Sequence, residues 1–518
     1  MNKHQDTAGP AQASRRQWLK GGSALLLGGA AAAASAATPA AKTQRFDKVV
    51  DVIVVGSGFA ALAAALEAKA AGADVLLIEK MPMLGGNSAI NGGAFAVAGS
   101  PLQEKDGIKD SPELMLQDML KAGRGLNNVE LLKLIVEGTR PAFDFTVRHG
   151  VQYKPFTQHF GGHSVPRICQ AAHSTGGDIT LPLIRACQAQ GIEVRSRCKM
   201  EEFVRDEAGR VIGVVARDRY DFPNEQSGVV QTFGARRGVV VATGGFSRNL
   251  EFRRMQDPAL DERLDSTNQP GATGEAMLAM FALGGAPVQI DQIQLGPWSS
   301  PDEKGFGLAS QFNTIAGFPK GIMVDVRSGK RFVDELADRK ARADAILTRV
   351  DAKTGKPVYP VCFTDAIGAR DAQTLKNGLK YEVIHQFDTL EALAKFYGIP
   401  AAALKAEVAR FNGFVRARKD ADFKRSMEVA IELKQAPFYA VRVWPKVHYC
   451  MGGVAIDTQA RVIRADRQPI AGLFAAGEVT GGTHGASRLG GCAIADGLVI
   501  GRIAGTSAAK NAAVALTA

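Results

Sequence analysis

The chain has few cysteines, and their arrangement excludes several classes of metal and haem protein. Six cysteines are spread over 518 residues, at positions 169, 187, 198, 362, 450 and 492. No C-x-x-C-H motif occurs, so no c-type haem is expected to be attached, and no C-x-x-C cluster suggests zinc or an iron–sulfur centre. We expect no metal site. Because Cys362, Cys450 and Cys492 lie in apolar or glycine-rich segments, we expect mostly buried free thiols.

Nucleic-acid-binding motifs are missing as well. The chain carries 63 basic and 52 acidic residues and a formal net charge of +11, yet it contains no zinc finger and no basic helix with interleaved aromatic residues. A basic surface instead favours encounter with anionic substrates or acidic electron carriers. We therefore expect no nucleic acid among the partners.

The N-terminus lacks an apolar run long enough to span a membrane securely. Arg15 and Arg16 precede a Gly/Ala-rich stretch that ends at Ala34-Ser35-Ala36. This order is typical of a twin-arginine export signal with a small-residue cleavage site, although a disordered basic leader is the alternative. We expect a signal peptide over 1–36, a linker over 37–47, a periplasmic location and no stable membrane insertion.

The segment Asp51–Ala61 (DVIVVGSGFAA) is an apolar run broken by a glycine turn that opens into an alanine-rich helix. Gly56 would allow the tight turn, Gly58 the approach of a pyrophosphate to the helix N-terminus, and Ala61 close packing of helix on strand. A second apolar run ends at Glu79, 23 residues after Gly56, about where an acid that binds a ribose 2′-OH is expected. The order predicts a dinucleotide site.

Further glycine-rich motifs follow at spaced positions along the chain. They are Gly85-Gly86-Asn87-Ser88, Thr243-Gly244-Gly245, Thr273-Gly274-Glu275, Met451-Gly452-Gly453, Gly477-Glu478 and Arg488-Leu489-Gly490-Gly491. Together they resemble the fumarate reductase and succinate dehydrogenase flavoprotein family, in particular its soluble flavocytochrome c branch of urocanate- and acrylate-type reductases, over roughly residues 48–510. The resemblance implies FAD as cofactor. The residues it assigns to FAD, besides those named above, are Lys80, Gly85, Gly86, Asn87, Ser88, Gly92, Gly93, Thr243, Gly244, Gly245, Thr273, Gly274, Glu275, Gly477, Glu478, Arg488, Ala493 and Ile494.

The fold class that the resemblance implies is α/β, a discontinuous Rossmann-like FAD-binding domain with an inserted α+β capping domain. The FAD-binding parts are expected at 48–291 and 448–518, and the cap at 292–447. Hydrophobic periodicity predicts the elements independently. It favours strands at 51–55, 74–78 and 238–242, and helices at 59–71, 111–121, 129–149, 328–346, 402–420 and 498–508.

The resemblance also implies three catalytic residues. Arg488 matches the family arginine that pairs with the substrate carboxylate, and its planar fork suits bidentate binding. His448 matches the histidine that donates a hydrogen bond to the substrate, and Arg339 the arginine held to be the proton donor. The alternatives are a structural histidine and surface arginines, with Arg342 and Arg331 as competitors for the role of Arg339.

Two departures from the family pattern concern the substrate. Gly296 stands where fumarate-reducing relatives carry a substrate-binding histidine, so a second carboxylate loses its partner. Trp298, Phe312 and Phe318 are expected to make this side of the pocket apolar. A monocarboxylate with a bulkier or aromatic tail is therefore expected rather than a dicarboxylate.

Other departures concern the proton relay and the flavin link. The Thr-Glu pair and the arginine that relay protons in relatives are missing, so the relay must differ or use Asn313, Thr314 or Lys320. Membrane-bound relatives attach FAD to a histidine in the loop after the ribose acid. The segment 84–90 has no histidine, so FAD should be non-covalent.

The expected protein is a periplasmic FAD-dependent reductase of the C=C bond of an α,β-unsaturated carboxylate. Since no haem is attached, electrons would come from a separate cytochrome c or quinol-linked carrier. Two alternatives remain open: a dehydrogenase that introduces a C=C bond next to a carbonyl, as ketosteroid dehydrogenases do, and a flavoprotein that only carries electrons.

Overall fold

Five β-sheets and the helices between them form the part of the chain that the computed structural model describes, residues 45–518. The predicted signal peptide and residues 37–44 of the predicted linker lie outside the described residues. The strands are β1 Lys48–Val55, β2 Val75–Ile78, β3 Ala94–Ala96, β4 Tyr153–Gln158, β5 Ile168–Ala171, β6 Glu193–Arg195, β7 Cys198–Arg205, β8 Val211–Asp218, β9 Val229–Val241, β10 Pro287–Val288, β11 Ile293–Gly296, β12 Ile322–Asp325, β13 Lys330–Arg331, β14 Val361–Thr364, β15 His385–Phe387, β16 Phe438–Arg442, β17 Lys446–Cys450, β18 Gly453–Val454, β19 Arg461–Ile463 and β20 Pro469–Ala475. The α-helices are α1 Phe59–Ala70, α2 Gly86–Ile90, α3 Pro101–Lys105, α4 Pro112–Ala122, α5 Val129–Arg148, α6 Gly177–Ala189, α7 Leu250–Gln256, α8 Glu275–Ala282, α9 Ala309–Phe312, α10 Phe318–Lys320, α11 Arg339–Leu347, α12 Ala366–Ala369, α13 Leu375–Lys380, α14 Leu390–Tyr397, α15 Ala401–Ala417 and α16 Cys492–Lys510.

The largest sheet is parallel at its centre, in the order β20-β9-β1-β2-β6. Its strands β1 and β2 are almost continuous Val, Leu and Ile, as expected for strands buried on both faces. The last central strand, β20, comes from near the C-terminus and pairs with β9. The carboxyl ends of β1, β2, β9 and β20 therefore meet at one edge, where a ligand crevice forms in open α/β sheets.

Helices α1 and α16 pack on each other because one presents glycines and the other alanines. A Cβ on Gly501 would lie 2.5 Å from the carbonyl oxygen of Ala60, and one on Gly505 would lie 2.1 Å from that of Ala64. By length and composition α16 is long and apolar enough to cross a membrane, but 72% of its most apolar window is buried inside the protein. It is a core helix of this fold.

A second sheet is antiparallel, in the order β13-β12-β14-β16-β15. Helices α14 and α15 cover it with Leu393, Leu404 and Phe411, all fully buried. The ribbon β11–β17 pairs Ile293 with Cys450 and Gly296 with Lys446. The two predicted boundaries of the cap, near 291 and 447, thus lie side by side in this ribbon. The fold class is confirmed as α/β with a Rossmann-like FAD-binding unit and an α+β cap, while the exact domain boundaries stay predictions.

Most predicted elements are present, but the helix predicted over 328–346 is wrong in its first half. Residues 328–338 form a turn, strand β13 and a loop, and α11 begins only at Arg339. Two side chains hold this loop. Asp338 accepts hydrogen bonds from the backbone N–H groups of Lys340 and Ala341 and so starts the helix. Glu335 is drawn into a buried ion cluster with Arg331 and Arg425. All six cysteines are free and buried, as predicted.

Candidate active site

A cavity of about 850 Å³ opens at the carboxyl edge of the parallel sheet. One wall comes from the glycine motifs after β1, β9 and β20, and the opposite wall from α9–α11 of the cap. Within residues 45–518 no group of three or more His, Cys, Asp or Glu side chains could hold a metal ion. Arginines, histidines and the backbone groups of the glycine motifs are among the polar groups that line the cavity.

Four helices that begin at or beside the cavity start with a glycine N-cap and have no side-chain cap. They are α1 after Gly58, α2 after Gly85, α8 after Gly274 and α16 after Gly491. The first N–H groups of a helix need an acceptor, and its N-terminus favours negative charge. By contrast α3, α4, α5 and α14 are capped by Ser or by Asn and Thr side chains. The uncapped ends suit the diphosphate of a dinucleotide.

The structure places most of the predicted cofactor residues on the cavity wall. Those that line it are Gly56, Gly58, Glu79, Lys80, Gly86, Asn87, Ser88, Gly92, Thr243, Gly244, Gly274, Glu275, Gly477, Glu478, Arg488, Ala493 and Ile494. The Thr243 hydroxyl oxygen is buried and has no hydrogen-bond partner among the described residues. A polar ligand group would satisfy it, which supports the fit of FAD to this wall.

Five predicted cofactor residues do not reach the wall, and four of them support it from behind. A Cβ on Gly93 would meet the backbone of Thr175, and one on Gly245 would meet Glu478 and Cys450. The Thr273 hydroxyl bonds Lys80 and Glu275, and Gly85 donates its N–H to Ser57. The fifth, Ala61, is fully buried in α1, in keeping with its predicted packing role.

Glu79 lies at the end of β2 with both carboxylate oxygens in hydrogen bonds. Its Oε2 accepts from the Ser57 hydroxyl at 2.7 Å and its Oε1 from the Met81 N–H at 2.8 Å. Burial raises the pKa of this carboxyl, while these two hydrogen bonds act in the opposite direction. The side chain is thus fixed at the cavity wall, in the position at which an acid binds the ribose hydroxyls of a dinucleotide.

Three arginines line the other part of the cavity, and each lies over an aromatic ring. The guanidinium carbon is 4.5 Å from the ring centroid of Trp298 for Arg339, 5.0 Å from that of Phe318 for Arg342, and 4.4 Å from that of Tyr449 for Arg488. Their hydrogen bonds go to neutral oxygens. Arg339 donates to Gln294, Arg342 to the Glu335 carbonyl and Arg488 to the Leu489 carbonyl.

No carboxylate of residues 45–518 forms a salt bridge with any of these three arginines, and their pKa values reflect it. Burial, followed by the charges of Arg488 and Arg342, holds the pKa of Arg339 well below its usual range. Burial also lowers the pKa of Arg488, and it lowers that of Arg342 to about 10. The cavity therefore presents concentrated positive charge, which an anionic ligand would stabilise.

Gln294 connects two of these arginines through its side-chain amide. Its Oε1 accepts from Arg339 at 2.8 Å, and its Nε2 donates to the Arg488 carbonyl at 3.1 Å and to the Ser487 hydroxyl at 3.3 Å. Gln294 lies on β11, the strand that also carries Gly296. No sequence motif had indicated a role for this glutamine.

His448 lies on β17 at the cavity wall and is held by Thr267. Its Nδ1 is 2.8 Å from the Thr267 hydroxyl oxygen, and the Trp298 ring packs edge-on at 5.0 Å between centroids. Burial, followed by the charges of Arg339 and Arg488, keeps the pKa of His448 well below its ordinary value. The imidazole is therefore neutral. If Thr267 donates to Nδ1, Nε2 carries the proton and is a donor for a ligand.

The aromatic wall differs from the prediction in one residue. Phe312 is fully buried in the cap core and does not line the cavity, whereas Trp298, Phe318 and an unpredicted residue, Phe306, do. A Cβ on Gly296 would lie 3.2 Å from two atoms of the Trp298 ring. The indole thus occupies the space next to Gly296 that a larger side chain would need.

The predicted relay candidates have other partners. Asn313 donates to the Trp298 carbonyl at 2.8 Å and does not line the cavity. Thr314 and Lys320 line it, but the Thr314 hydroxyl donates to the Ser310 carbonyl, and the Lys320 ammonium pairs with Asp371 at 2.8 Å. None of these three is hydrogen-bonded to Arg339 in the described part of the chain.

A loop at 158–163, which no sequence motif indicated, completes the cavity next to Arg488. His163 is 5% exposed, its Nδ1 faces Arg167 at 3.2 Å, and its Nε2 faces the Gly490 carbonyl at 2.8 Å. Since an arginine can only donate, Nδ1 must accept and Nε2 must donate. Arg167 is itself fixed by salt bridges to Asp110 and Asp118.

Comparison with known proteins agrees with this geometry. A family model described as an FAD binding domain matches residues 51–494. The chain is similar to the acrylate reductase flavoprotein subunit of Shewanella woodyi, with 46% identity over 95% of this chain and 97% of that protein. A flavocytochrome c3 fumarate reductase in its open conformation superimposes with a TM-score of 0.74 at 35% identity, over 90% of this chain and 79% of that one.

A third similarity is more distant. The 3-ketosteroid-Δ4-(5α)-dehydrogenase of Rhodococcus jostii RHA1 superimposes with a TM-score of 0.70 at 26% identity, over 91% of this chain and 99% of that one. The fold and the glycine-capped cavity define an FAD-dependent oxidoreductase. Within that class, the chain belongs to the fumarate-reductase-like flavoprotein family.

Proposed function

We propose that the protein reduces the C=C bond of an α,β-unsaturated carboxylate, with FAD as the hydride source. The observation that carries this proposal is the set of three cavity arginines without a salt-bridged carboxylate in residues 45–518. The positive charge of this site is not balanced by a salt-bridged carboxylate, so the site favours an anionic ligand. The adjoining wall carries the FAD-binding motifs. The relative named for acrylate reduction supports the same reaction.

In the proposed mechanism Arg488 and neutral His448 hold the substrate carboxylate. Arg488 supplies a planar donor fork and the Nε2–H of His448 a further donor. Reduced FAD, when bound, supplies a hydride to one carbon of the double bond. Arg339 gives an N–H proton to the other carbon and regains it from solvent, so that two C–H bonds replace the π bond.

The lowered pKa of Arg339 supports its role as the acid. An arginine with its ordinary pKa above 12 is a poor proton donor. Here burial and two neighbouring guanidinium groups disfavour its charged form. Gln294 holds the side chain through a neutral acceptor, which does not restore the pKa as a carboxylate would.

The substrate is proposed to be an acrylate-like, urocanate-like or aryl-substituted monocarboxylate rather than fumarate. Trp298 fills the space beside Gly296, and with Phe306 and Phe318 it lines this part of the cavity. A second carboxylate on the neighbouring carbon would meet an indole ring there. Burial of that charge without a partner is costly.

Non-covalent FAD, a separate cytochrome c or quinol-linked electron donor, and a periplasmic location reached by the twin-arginine signal complete the proposal. Their support is in the sequence: no histidine in 84–90, no C-x-x-C-H motif, and Arg15-Arg16 before an apolar run. Acid precipitation of the holoprotein should leave FAD in the supernatant. Flavin in the pellet would contradict non-covalent binding.

The ketosteroid-dehydrogenase alternative needs a base, which in those enzymes is a tyrosine. Among the described residues that line the cavity, Tyr449 is the sole tyrosine. Burial raises its pKa well above the ordinary value, and Arg488 covers its ring. Tyr449 therefore stays protonated and is not available as the base, which favours the reductase.

The test is steady-state turnover of the FAD-loaded protein with reduced viologen. Acrylate and cinnamate should be reduced with a higher kcat/KM than fumarate. If the protein only carries electrons, none of these acids would support oxidation of the reduced dye. Oxidation of saturated ketones with an artificial acceptor, without reduction of any unsaturated acid, would establish the dehydrogenase instead.

A further inference from the structure

Arg342 is a cation at the cap end of the cavity that the proposed reaction does not use. Its Nη1 donates to the Glu335 carbonyl at 3.2 Å, and its Nε is buried with no hydrogen-bond partner among residues 45–518. Its guanidinium lies over the face of Phe318. A buried donor without a partner is costly unless a ligand satisfies it.

The charges of Asp334 and Asp338 act on Arg342, but no carboxylate among residues 45–518 forms a salt bridge or hydrogen bond with it. Asp338 caps α11, Asp334 accepts from the Leu336 N–H, and Glu335 is bonded to Arg331 and Arg425. The structural Arg331 also has one buried nitrogen without a hydrogen-bond partner, but it differs from Arg342 in its charge partners. Arg331 forms salt bridges with Glu335 and Asp420, both within 3 Å.

The position of Arg342 relative to Arg339 defines the size of a ligand. The two residues are three apart on α11, so their Cβ atoms are about 5–6 Å apart on one face of the helix. Trp298 lies under one guanidinium and Phe318 under the other. The wall at the two cations is therefore aromatic, and a spacing of this order can be spanned by one six-membered ring.

We propose that Arg342 is a specificity-determining residue that binds an oxygen substituent, a carboxylate or hydroxyl, on the far side of an aromatic ring carried by the unsaturated acid. The reacting carboxylate stays with Arg488 and His448, and Arg342 donates to the distal oxygen. This inference rests on the proposed function, because it identifies the tail of that substrate.

Binding of saturated analogues to the oxidised holoprotein tests the inference without turnover. The probes are 3-phenylpropanoate and 3-(4-carboxyphenyl)propanoate, with Kd measured from the change in flavin absorbance. The 4-carboxy analogue should bind at least about tenfold more tightly, as a charge-assisted hydrogen bond gives. Arg342→Gln should reduce this ratio to about one, and Arg342→Lys should keep part of it.

Lys340→Gln is the matched control, because Lys340 lies on the same helix but is exposed and pairs with Asp344. It should leave both Kd values unchanged. Equal binding of the two analogues to the wild type, or a ratio that survives Arg342→Gln, would overturn the inference. If Arg342→Gln fails to retain FAD, the ratio of the two Kd values in the wild type and in Arg342→Lys tests the inference instead. Failure of the proposed function is separate, since it would appear as no reduction of acrylate by the wild type.

Discussion

The guanidinium of Arg339 lies 4.5 Å from the ring centroid of Trp298, and that indole occupies the space beside Gly296. One aromatic side chain therefore supports the proposed proton donor and blocks the place of a second carboxylate. The space that Gly296 leaves open is thus filled by the Trp298 ring.

Arg339→Gln and Arg339→Lys should lower kcat by orders of magnitude while FAD content and substrate Kd change little. The lost proton transfer acts mainly in the transition state. Stopped-flow reduction of the flavin by dye, compared with steady-state turnover, checks this. For acrylate, Arg342→Gln should cost much less. A small loss of kcat at Arg339 together with a large loss at Arg342 or Lys320 would assign the role of proton donor to that other residue.

Arg488→Lys should lower kcat/KM about 10- to 100-fold, chiefly through KM, because a point charge replaces the bidentate fork. Steady-state kinetics with acrylate measures it, with FAD content as the check on folding. Arg502→Lys is the control, since Arg502 also lies over an aromatic ring, Phe145, but pairs with Glu67 outside the cavity. Unchanged affinity for every unsaturated acid in Arg488→Lys would refute the carboxylate assignment.

Gly58→Val should abolish FAD binding, because its side chain would stand at the N-terminus of α1 where the pyrophosphate approaches. A Cβ there would also lie 2.9 Å from the Ser88 hydroxyl. The double variant Gly58→Val/Ser88→Ala removes that second contact. If the double variant regains FAD, as judged by absorbance at purification, the contact with Ser88 was the cause and the pyrophosphate assignment fails.

His163 should make stability depend on pH. Burial, followed by the charge of Arg167, lowers its pKa to about 4 in the folded protein, whereas an unfolded histidine has a pKa of about 6.5. Between these values only the unfolded state binds the proton, so the free energy of unfolding falls as pH decreases from about 6.5 to about 4.

At pH 5 the loss from His163 should be about 2 kcal/mol relative to neutral pH. Denaturant unfolding of wild type and His163→Gln at pH 7 and pH 5 isolates it, since glutamine can also accept from Arg167 and donate to Gly490 but does not titrate. An equal pH dependence of wild type and His163→Gln would contradict the buried, neutral state of His163.

The sequence predicted the cofactor half of the site better than the cap half. Gly56, Gly58 and Glu79 follow directly from a strand–turn–helix–strand pattern, because local backbone geometry dictates which residues each position accepts. The cap wall depends on a π-helical turn at Asn313–Gly317 between α9 and α10. The wider turn of a π-helix changes the direction of the side chains that follow it. A regular helical period therefore does not predict that Phe312 packs in the core while Phe318 lines the cavity.

Other misses have tertiary causes. Asp338 and the buried carboxylate of Glu335 override the helical pattern before Arg339. Thr267 contacts His448 from a segment 181 residues away in sequence, and no local pattern indicates such a contact. Arg342 was recognised only as a competitor of Arg339, because its lack of a carboxylate partner is visible only once the neighbouring acids have been placed.

The late position of β20 and α16 in the chain has a consequence for biosynthesis. β20 pairs with β9 in the centre of the sheet, and Gly477, Arg488 and Gly491 reach the cavity only from this C-terminal segment. When β1, β2 and β9 have left the ribosome, the nascent chain therefore has half of a nucleotide site. It still lacks Arg488, the proposed substrate arginine. Completion of the site therefore has to await synthesis of this segment, and a chain truncated before β20 would lack a central strand and part of the cavity wall.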